Sequence, residues 1–360
     1  MTEFAIAGRP IGPEHRPYLI AEMSGNHNRS LDRALEIVDA AAASGADALK
    51  LQTYRADTIT LDAHGGLFDI TDADSLWNGR NLYDLYQEAH TPWEWHAPIF
   101  DRAKSRGMTA FSSPFDESAV DFLMDLDVPA FKIASFESNH HPLLRKVAAT
   151  GKPILISSGT SKLDELYESI NVLRDGGAKD IVIFKCTSTY PATPENTNLY
   201  TIPVFQEIFQ DCTIGLSDHT HGIGASVAAV ALGARVIEKH FTLRRADGGV
   251  DSAFSLEPHE LAALVTETER AWQALGRVQL DSQKSEEKSR QFKRSIYASA
   301  DIKAGDTLTP DNIRVVRPGD GLEPKYYPQL LGGVARRDIP FATPLTFDLA
   351  EFKAESGSAD

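Results

Sequence analysis

The stretch ILISSGTSKLDELYESINVLRDGGAKDIVIFK, residues 154–185, holds two short apolar runs on either side of one amphipathic segment. Ile154 to Ser157 and Ile181 to Lys185 are too short for helices and too continuously apolar for surface strands, so they read as buried strands. Between them Leu163, Leu166, Ile170 and Leu173 recur at helical spacing, which predicts a helix from Leu163 to Arg174, and Gly176 stands where a left-handed cap is expected. A strand, a helix and a second strand in this order form the parallel β/α unit.

The same rhythm extends in both directions. Strands are predicted at Tyr18 to Ala21, Ala48 to Gln52, Thr109 to Ser113, Ala130 to Ile133, Thr213 to Ser217 and Val236 to His240, which with the first two makes eight. Leu31, Leu35 and Val38 mark a helix from Leu31 to Ala43, and Gly45, Gly107, Gly151 and Gly233 stand at further helix ends. A doubly wound open sheet would alternate in the same way. The count of eight and the lack of a glycine-rich dinucleotide fingerprint after the first strand favour a closed (β/α)8 TIM barrel.

A helix from Glu260 to Leu275 ends the pattern, so the barrel domain is assigned to residues 1–280. The charged stretch 281–293 reads as a linker, and residues 294–352 as a small β-rich module with strand-like pieces at Ser295 to Ala298 and Ile313 to Arg317. The polar tail 353–360 is expected to be disordered.

A chain of 360 residues suits one large and one small domain. Its formal net charge of -15 repels phosphate backbones and anionic lipid surfaces, which argues against nucleic-acid and membrane partners. The longest small-apolar run, Val227 to Ala234, stops at Arg235, far short of a membrane span. With no signal-peptide pattern at the N-terminus and only two cysteines, Cys186 and Cys212, a cytoplasmic protein is expected.

In a barrel the chemistry sits at the C-terminal strand ends. These ends carry Glu22; Lys50 and Gln52; Ser112 and Ser113; Lys132 and Ser135; Ser157 and Ser158; Lys185 and Ser188; Ser217 to His219; and Glu238 to His240. Several lysines at one mouth are costly unless an anion neutralises them, and a phosphate-and-carboxylate substrate would do so, with the serines adding neutral donors. The alternative is that each lysine pairs with a structural acid and each serine caps a helix. His219 and His240 end consecutive strands, where they can share a divalent metal or simply hydrogen-bond to each other. Glu22 and Glu238 flank them. His27, in the loop SGNHN, either touches substrate or forms a turn with Asn26 and Asn28, while His90 and the cluster Trp93, Trp95 and Phe100 read as structural.

At these residues the chain resembles the sialic acid synthase family. The matching motifs are IAEMSGNHN (20–28), KLQTY (50–54), FSSPFD (111–116), FKIAS (131–135), SSGTS (157–161), CTSTYPA (186–192), GLSDHT (215–220), EKHFT (238–242) and RPGDGL (317–322). The resemblance implies a barrel followed by an antifreeze-like (SAF) domain, and a domain-swapped homodimer in which that small domain covers the partner's site. It makes His219 and His240 ligands of manganese or magnesium, and assigns phosphoenolpyruvate to Lys50, Ser113, Lys132, Ser135, Ser157, Ser188 and Ser217. Glu22 and Glu238 match the acids beside the attacking water; Gln52, Tyr190 and Asp251 match positions near the acceptor sugar, and Arg317 the arginine delivered across the dimer.

Ser188 departs from the N-acetylneuraminate branch, which carries asparagine there. The AEMSGNHN and KLQTY segments and HTPWEWH (90–96) resemble instead the pseudaminic acid branch, which implies a 2,4-diacetamido-2,4,6-trideoxy-altrose acceptor; N-acetylneuraminate or legionaminic acid synthesis with another amino-sugar aldehyde is the alternative. Two further readings compete: a class I aldolase using Lys50, Lys132 or Lys185 as a Schiff base, and a sugar-binding protein without activity.

Overall fold

The computed structural model describes residues 3–73 and 75–352; the predicted disordered tail lies outside the described residues. Contacts divide the chain into two units, Met1–Gly276 and Arg277–Asp360.

The first unit opens with a hairpin of two three-residue strands, β1 (Phe4–Ile6) and β2 (Arg9–Ile11). Eight parallel strands follow: β3 (Tyr18–Glu22), β4 (Ala48–Thr53), β5 (Thr109–Pro114), β6 (Phe131–Ile133), β7 (Ile154–Ser157), β8 (Ile181–Cys186), β9 (Thr213–Asp218) and β10 (Val236–His240). They close into a barrel because β10 pairs with β9 on one side and with β3 on the other, Val236 opposite Tyr18 through His240 opposite Glu22. Every predicted strand is present, most of them one residue longer at the C-terminal end. Ala130 lies outside β6.

The helices match their sequence pattern. One spans Leu31–Ala43, started by the Ser30 hydroxyl accepting from the Arg33 amide, and another Leu163–Asp175, burying Leu166, Ile170 and Leu173. The expected left-handed cap falls one residue later than predicted: Gly176 is right-handed and Gly177 has φ 98°. At Gly215 the requirement is space, since a Cβ would lie 2.5 Å from the Val236 carbonyl oxygen and 2.8 Å from the Phe184 ring.

Sequence periodicity missed the hairpin, whose turn at Ala7 and Gly8 needs φ values of 49° and 82°. Ile6 and Ile11 join the barrel's apolar core. Asp47, just before β4, ties this end together: it accepts from the Leu19 amide at 2.9 Å and from Arg9 and Arg16 at 3.3 and 2.7 Å.

A second tie lies in the layer between barrel and helices. Lys239 on β10 donates to the Asp218 carboxylate at 3.1 Å and to the carbonyls of Thr220 and Gly222 at 2.6 and 2.9 Å, while Asp218 also accepts from the Ser226 hydroxyl at 2.6 Å.

The second unit has antiparallel pairs β11 (Ser295–Ala298) with β12 (Ile313–Val316) and β13 (Val334–Ala335) with β14 (Ala350–Glu351). Its own core includes Ile296, Leu308, Ile313, Leu330 and Leu345. The stretch predicted as a linker winds into 3-10 turns over Lys284–Phe292. Among the described residues no helix is long and apolar enough to cross a membrane.

Removing one member of a buried ion pair leaves the other uncompensated. Lys239→Met is expected to lower unfolding free energy by about 3–5 kcal/mol in urea titration, well beyond the cost of an exposed lysine.

Candidate active site

Alternation along the strands decides which strand-end groups enter the barrel mouth. On β4, Lys50 and Gln52 face inward. Lys50 Nζ lies 2.6 Å from Glu22 Oε2, 3.7 Å from Glu238 Oε1 and 3.3 Å from the Ser113 hydroxyl. Lys132 on β6 reaches Glu238 Oε1 at 3.7 Å, and the Ser217 hydroxyl donates to the same oxygen at 3.2 Å. Two acids and two lysines from four strands thus share one buried network. The neighbouring positions point the other way: Ser112 bonds Thr53 at 2.6 Å in the helix layer, and Lys185 donates to the Thr187 hydroxyl at 2.7 Å on the face of β8 opposite Cys186. Ser112 and Lys185 therefore leave the group of strand-end residues expected at the mouth.

Charge in this network is unevenly set. Burial pushes the Glu22 carboxyl up, with Lys50 opposing and the charge of Glu238 adding to the rise. Burial raises Glu238 too, but Lys132, Lys50 and His219 outweigh it and hold that carboxyl below its ordinary value. For Lys50, burial is outweighed by its two acids, so the ammonium form is favoured. A Schiff-base lysine must shed that proton, which weighs against Lys50 in that role.

The serines converge nearby. Ser157 is fully buried and its hydroxyl has no partner in the protein. A Cβ on Gly159 would sit 2.1 Å from the Ser188 hydroxyl and 2.6 Å from that of Ser135, so only glycine lets these two hydroxyls approach the backbone.

Beside this array stand the two histidines, ring centroids 5.3 Å apart. His219 Nδ1 donates to the Thr187 carbonyl at 2.9 Å, so that in the neutral ring the lone pair is on Nε2, facing away from that bond. Burial lowers the His219 pKa, and Cys186, the Thr187 carbonyl and Glu238 more than offset it. His240 is driven well below its ordinary value by burial and the charges of His219 and three lysines, and its buried Nδ1 has no hydrogen bond. Asp251 Oδ2 lies 3.7 Å from that nitrogen and also accepts from Ser24; burial raises its carboxyl to about 6. Gln52 closes the circuit, donating to Glu22 at 2.9 Å and to Ser24 at 3.2 Å. Tyr190 stands 4.5 Å from His219, and Phe254 4.8 Å from His240.

Thus Glu22, Lys50, Gln52, Ser113, Lys132, Ser217 and Glu238 share one hydrogen-bond and ion-pair network, and Gln52 and Ser24 link it to Asp251 and His240. Arg317 belongs to the second unit, exposed just after β12. Sequence reading overlooked Glu137, two residues past Ser135, whose carboxyl is raised to about 7 by burial and keeps one oxygen without a partner. It also overlooked Ser24 and Phe254. The motif SGNHN contained Ser24, but only the fold brings it to Asp251.

His27 is resolved as a turn residue: fully buried, it meets the Arg29 amide at 3.1 Å through Nδ1 and the Thr91 hydroxyl at 3.2 Å through Nε2. His90 meets the Gln87 carbonyl at 2.8 Å at the end of a helix. Of the aromatic cluster, Trp95 and Phe100 pack against the barrel core as expected, whereas Trp93 lies outside it, stacked on Phe122 with centroids 4.6 Å apart and with the Arg55 guanidinium 4.1 Å from its ring.

An acid–lysine network beside paired histidines at the mouth of a β/α barrel defines the class. A model of the NeuB family matches residues 37–280, and one of the SAF domain matches residues 293–351. The chain belongs to the NeuB family. Pseudaminic acid synthase of Campylobacter jejuni is 44% identical over 92% of this chain and 96% of its own, and that of Helicobacter pylori 41% over 92% and 97%. The crystal structure of N-acetylneuraminic acid synthetase from Leptospira borgpetersenii superposes with a TM-score of 0.70 at 30% identity, covering 80% of this chain and 95% of that one.

Burial, with help from the charges of His90, His96 and Arg29, holds the His27 pKa down to about 4 from an ordinary 6.5. Between those values the unfolded chain binds a proton that the folded one refuses, so stability falls as pH drops from about 6.5 to about 4, by up to about 3 kcal/mol. In His27→Gln the slope over that range is expected to become shallower by His27's share, His96 being held down to about 4 as well; an unchanged slope would mean the folded His27 ring titrates freely.

Proposed function

We propose that the protein is a pseudaminic acid synthase, condensing phosphoenolpyruvate with 2,4-diacetamido-2,4,6-trideoxy-altrose to release phosphate. The observation that carries the reading is that the buried lysines Lys50 and Lys132, the unpartnered hydroxyl of Ser157 and the paired histidines gather at one barrel mouth. The named relatives at 41–44% identity favour this product over the legionaminic or N-acetylneuraminic acids.

Lys50 and Lys132 hold the substrate's anionic groups, and Ser113, Ser135, Ser157, Ser188 and Ser217 supply neutral donors to its carboxylate and phosphate oxygens. Ser157, with no protein partner for its hydroxyl, is suited to such a role. A phosphorylated enol would relieve the desolvation cost of the lysines, which is several kcal/mol for each buried ion.

His219 and His240 fit a divalent cation, manganese or magnesium. One ring has its tautomer fixed by a carbonyl, and the other is kept neutral with an unbonded nitrogen. Among the described residues no group of three or more His, Cys, Asp or Glu is arranged for a metal, so the rest of the shell would fall to water and substrate oxygens. Such an ion supplies a Lewis acid for the acceptor aldehyde.

The chain's own groups then order the reaction. Tyr190, Gln52 and Asp251 orient the open-chain sugar so that its aldehyde carbon meets the methylene carbon of phosphoenolpyruvate; the enol π pair forms the new carbon–carbon bond, the aldehyde π pair moves to its oxygen, which takes up a proton to become a hydroxyl, and an oxocarbenium ion is left. Glu22 or Glu238 takes the proton of the water that adds to that ion. The tetrahedral intermediate loses phosphate by carbon–oxygen cleavage, and the lysines stabilise the departing anion. Arg317 completes the acceptor site from the other subunit of a domain-swapped homodimer. A reducing cytoplasm suits the two buried free thiols, Cys186 and Cys212.

Phosphate release with the diacetamido-trideoxy aldehyde should exceed that with N-acetylmannosamine, and chelation should abolish it until manganese or magnesium is restored. His219→Ala should be inactive yet fold normally by circular dichroism; full activity in chelator would reject the metal role. Arg317→Ala should be inactive alone and regain activity when mixed with a His219→Ala chain, up to about one quarter of normal for random pairing with one intact composite site per heterodimer. Absence of that rescue would count against a shared site.

A further inference from the structure

Between β4 and β5 the chain leaves the barrel for residues 54–108, and the first part of this excursion comes back against Tyr190 and Val250, which follow β8 and β10. Its base is anchored by Asn81, whose side-chain amide donates to the carbonyls of Ala63 and Phe68 at 2.9 and 3.2 Å and to Asp69 at 2.8 Å. The Ile70 amide donates to Arg80 and the Gly79 amide to Ile70, each at 2.8 Å. These bonds pin a narrow loop whose returning limb carries Trp77, two residues before Gly79.

The indole is held in two ways. Its Nε1 donates to the carbonyl of Val250, the residue before Asp251, at 3.2 Å, and its ring lies 5.9 Å from that of Tyr190, tilted by 54°. Tyr190 in turn lies 5.5 Å from Phe254 and 4.5 Å from His219. Trp77, Tyr190 and Phe254 therefore form a row that begins beside the paired histidines and ends on the excursion. Core packing does not account for the indole. Trp77 is only half-buried, its neighbours Leu76 and Asn78 are exposed, and it stands outside the barrel's apolar core. An aromatic face kept part-open at the rim of a polar mouth is suited to the apolar part of a small ligand.

We infer that Trp77 is a specificity-determining residue that extends the Tyr190 wall along the end of the acceptor subsite farther from the histidines, favouring a sugar with methyl and acetamido groups there over one with hydroxyls. The inference rests on the condensation proposed above and assigns a residue to its choice of acceptor. Methyl and acetamido groups gain by leaving water for an indole face, whereas a hydroxyl placed there loses its hydrogen bonds to water.

Two substitutions separate the aromatic face from the anchoring bond. Trp77→Phe keeps a ring without the donor to Val250; Trp77→Gln keeps a donor without the ring. The readout is kcat/KM for the diacetamido-trideoxy aldehyde divided by kcat/KM for N-acetylmannosamine, measured together with KM for phosphoenolpyruvate. Trp77→Gln is expected to lower the ratio by about tenfold or more through a higher KM for the deoxygenated sugar. Trp77→Phe should keep most of the ratio, and neither variant should move KM for phosphoenolpyruvate more than about twofold. A ratio unchanged in Trp77→Gln overturns the inference, as does an equal fall in both variants, which would assign the effect to the loop's anchor. If the unsubstituted enzyme turns over N-acetylmannosamine alone, the proposed acceptor fails instead, and that result is read before any variant is made.

Discussion

The register that closes the barrel is the constraint on which the site depends. Because β10 pairs in parallel with both β9 and β3, His240 falls opposite Glu22, and Glu238 opposite Ser217 and Ile20. A shift of one residue would turn the inward set outward and replace Glu238 and His240 at the mouth by Ile237 and Lys239. Apolar side chains fill the barrel below this level, so the register is held by packing throughout the strands.

The mouth and the helix layer handle buried charge differently. Lys239 and Asp218 satisfy each other and spend their remaining hydrogen bonds on local carbonyls and hydroxyls, which makes them a structural tie. Lys132 sits 3.7 Å from its nearest acid, and Glu238 retains an oxygen without a hydrogen bond. An ammonium as loosely paired as that of Lys132 is unfavourable in a resting fold and useful where an anion is to be received, while the free Glu238 oxygen can accept a proton or a hydrogen bond. The same contrast separates Ser112, bonded to Thr53, from Ser157, which has no protein partner.

Much of this was legible in the sequence, for identifiable reasons. Buried parallel strands read as continuous apolar runs, so all eight were visible, and the polar residues at their ends marked the mouth. What periodicity alone left open was phase: Lys185 and Ser112 end strands just as Lys50 and Ser113 do, yet face the helices. The hairpin β1–β2 was missed because three-residue strands each bury a single isoleucine, too little to form a pattern. The excursion was missed for a related cause, since its turns and short helices follow no one period. Trp77 lies 113 residues from Tyr190 and 173 from Val250, so no local signal could join them.

The clamp around Asp47 bears on how such a protein can change over time. It binds the hairpin to the barrel at the entrance of the strands, as far along them as possible from the reacting groups. Insertions at the opposite rim therefore leave it untouched.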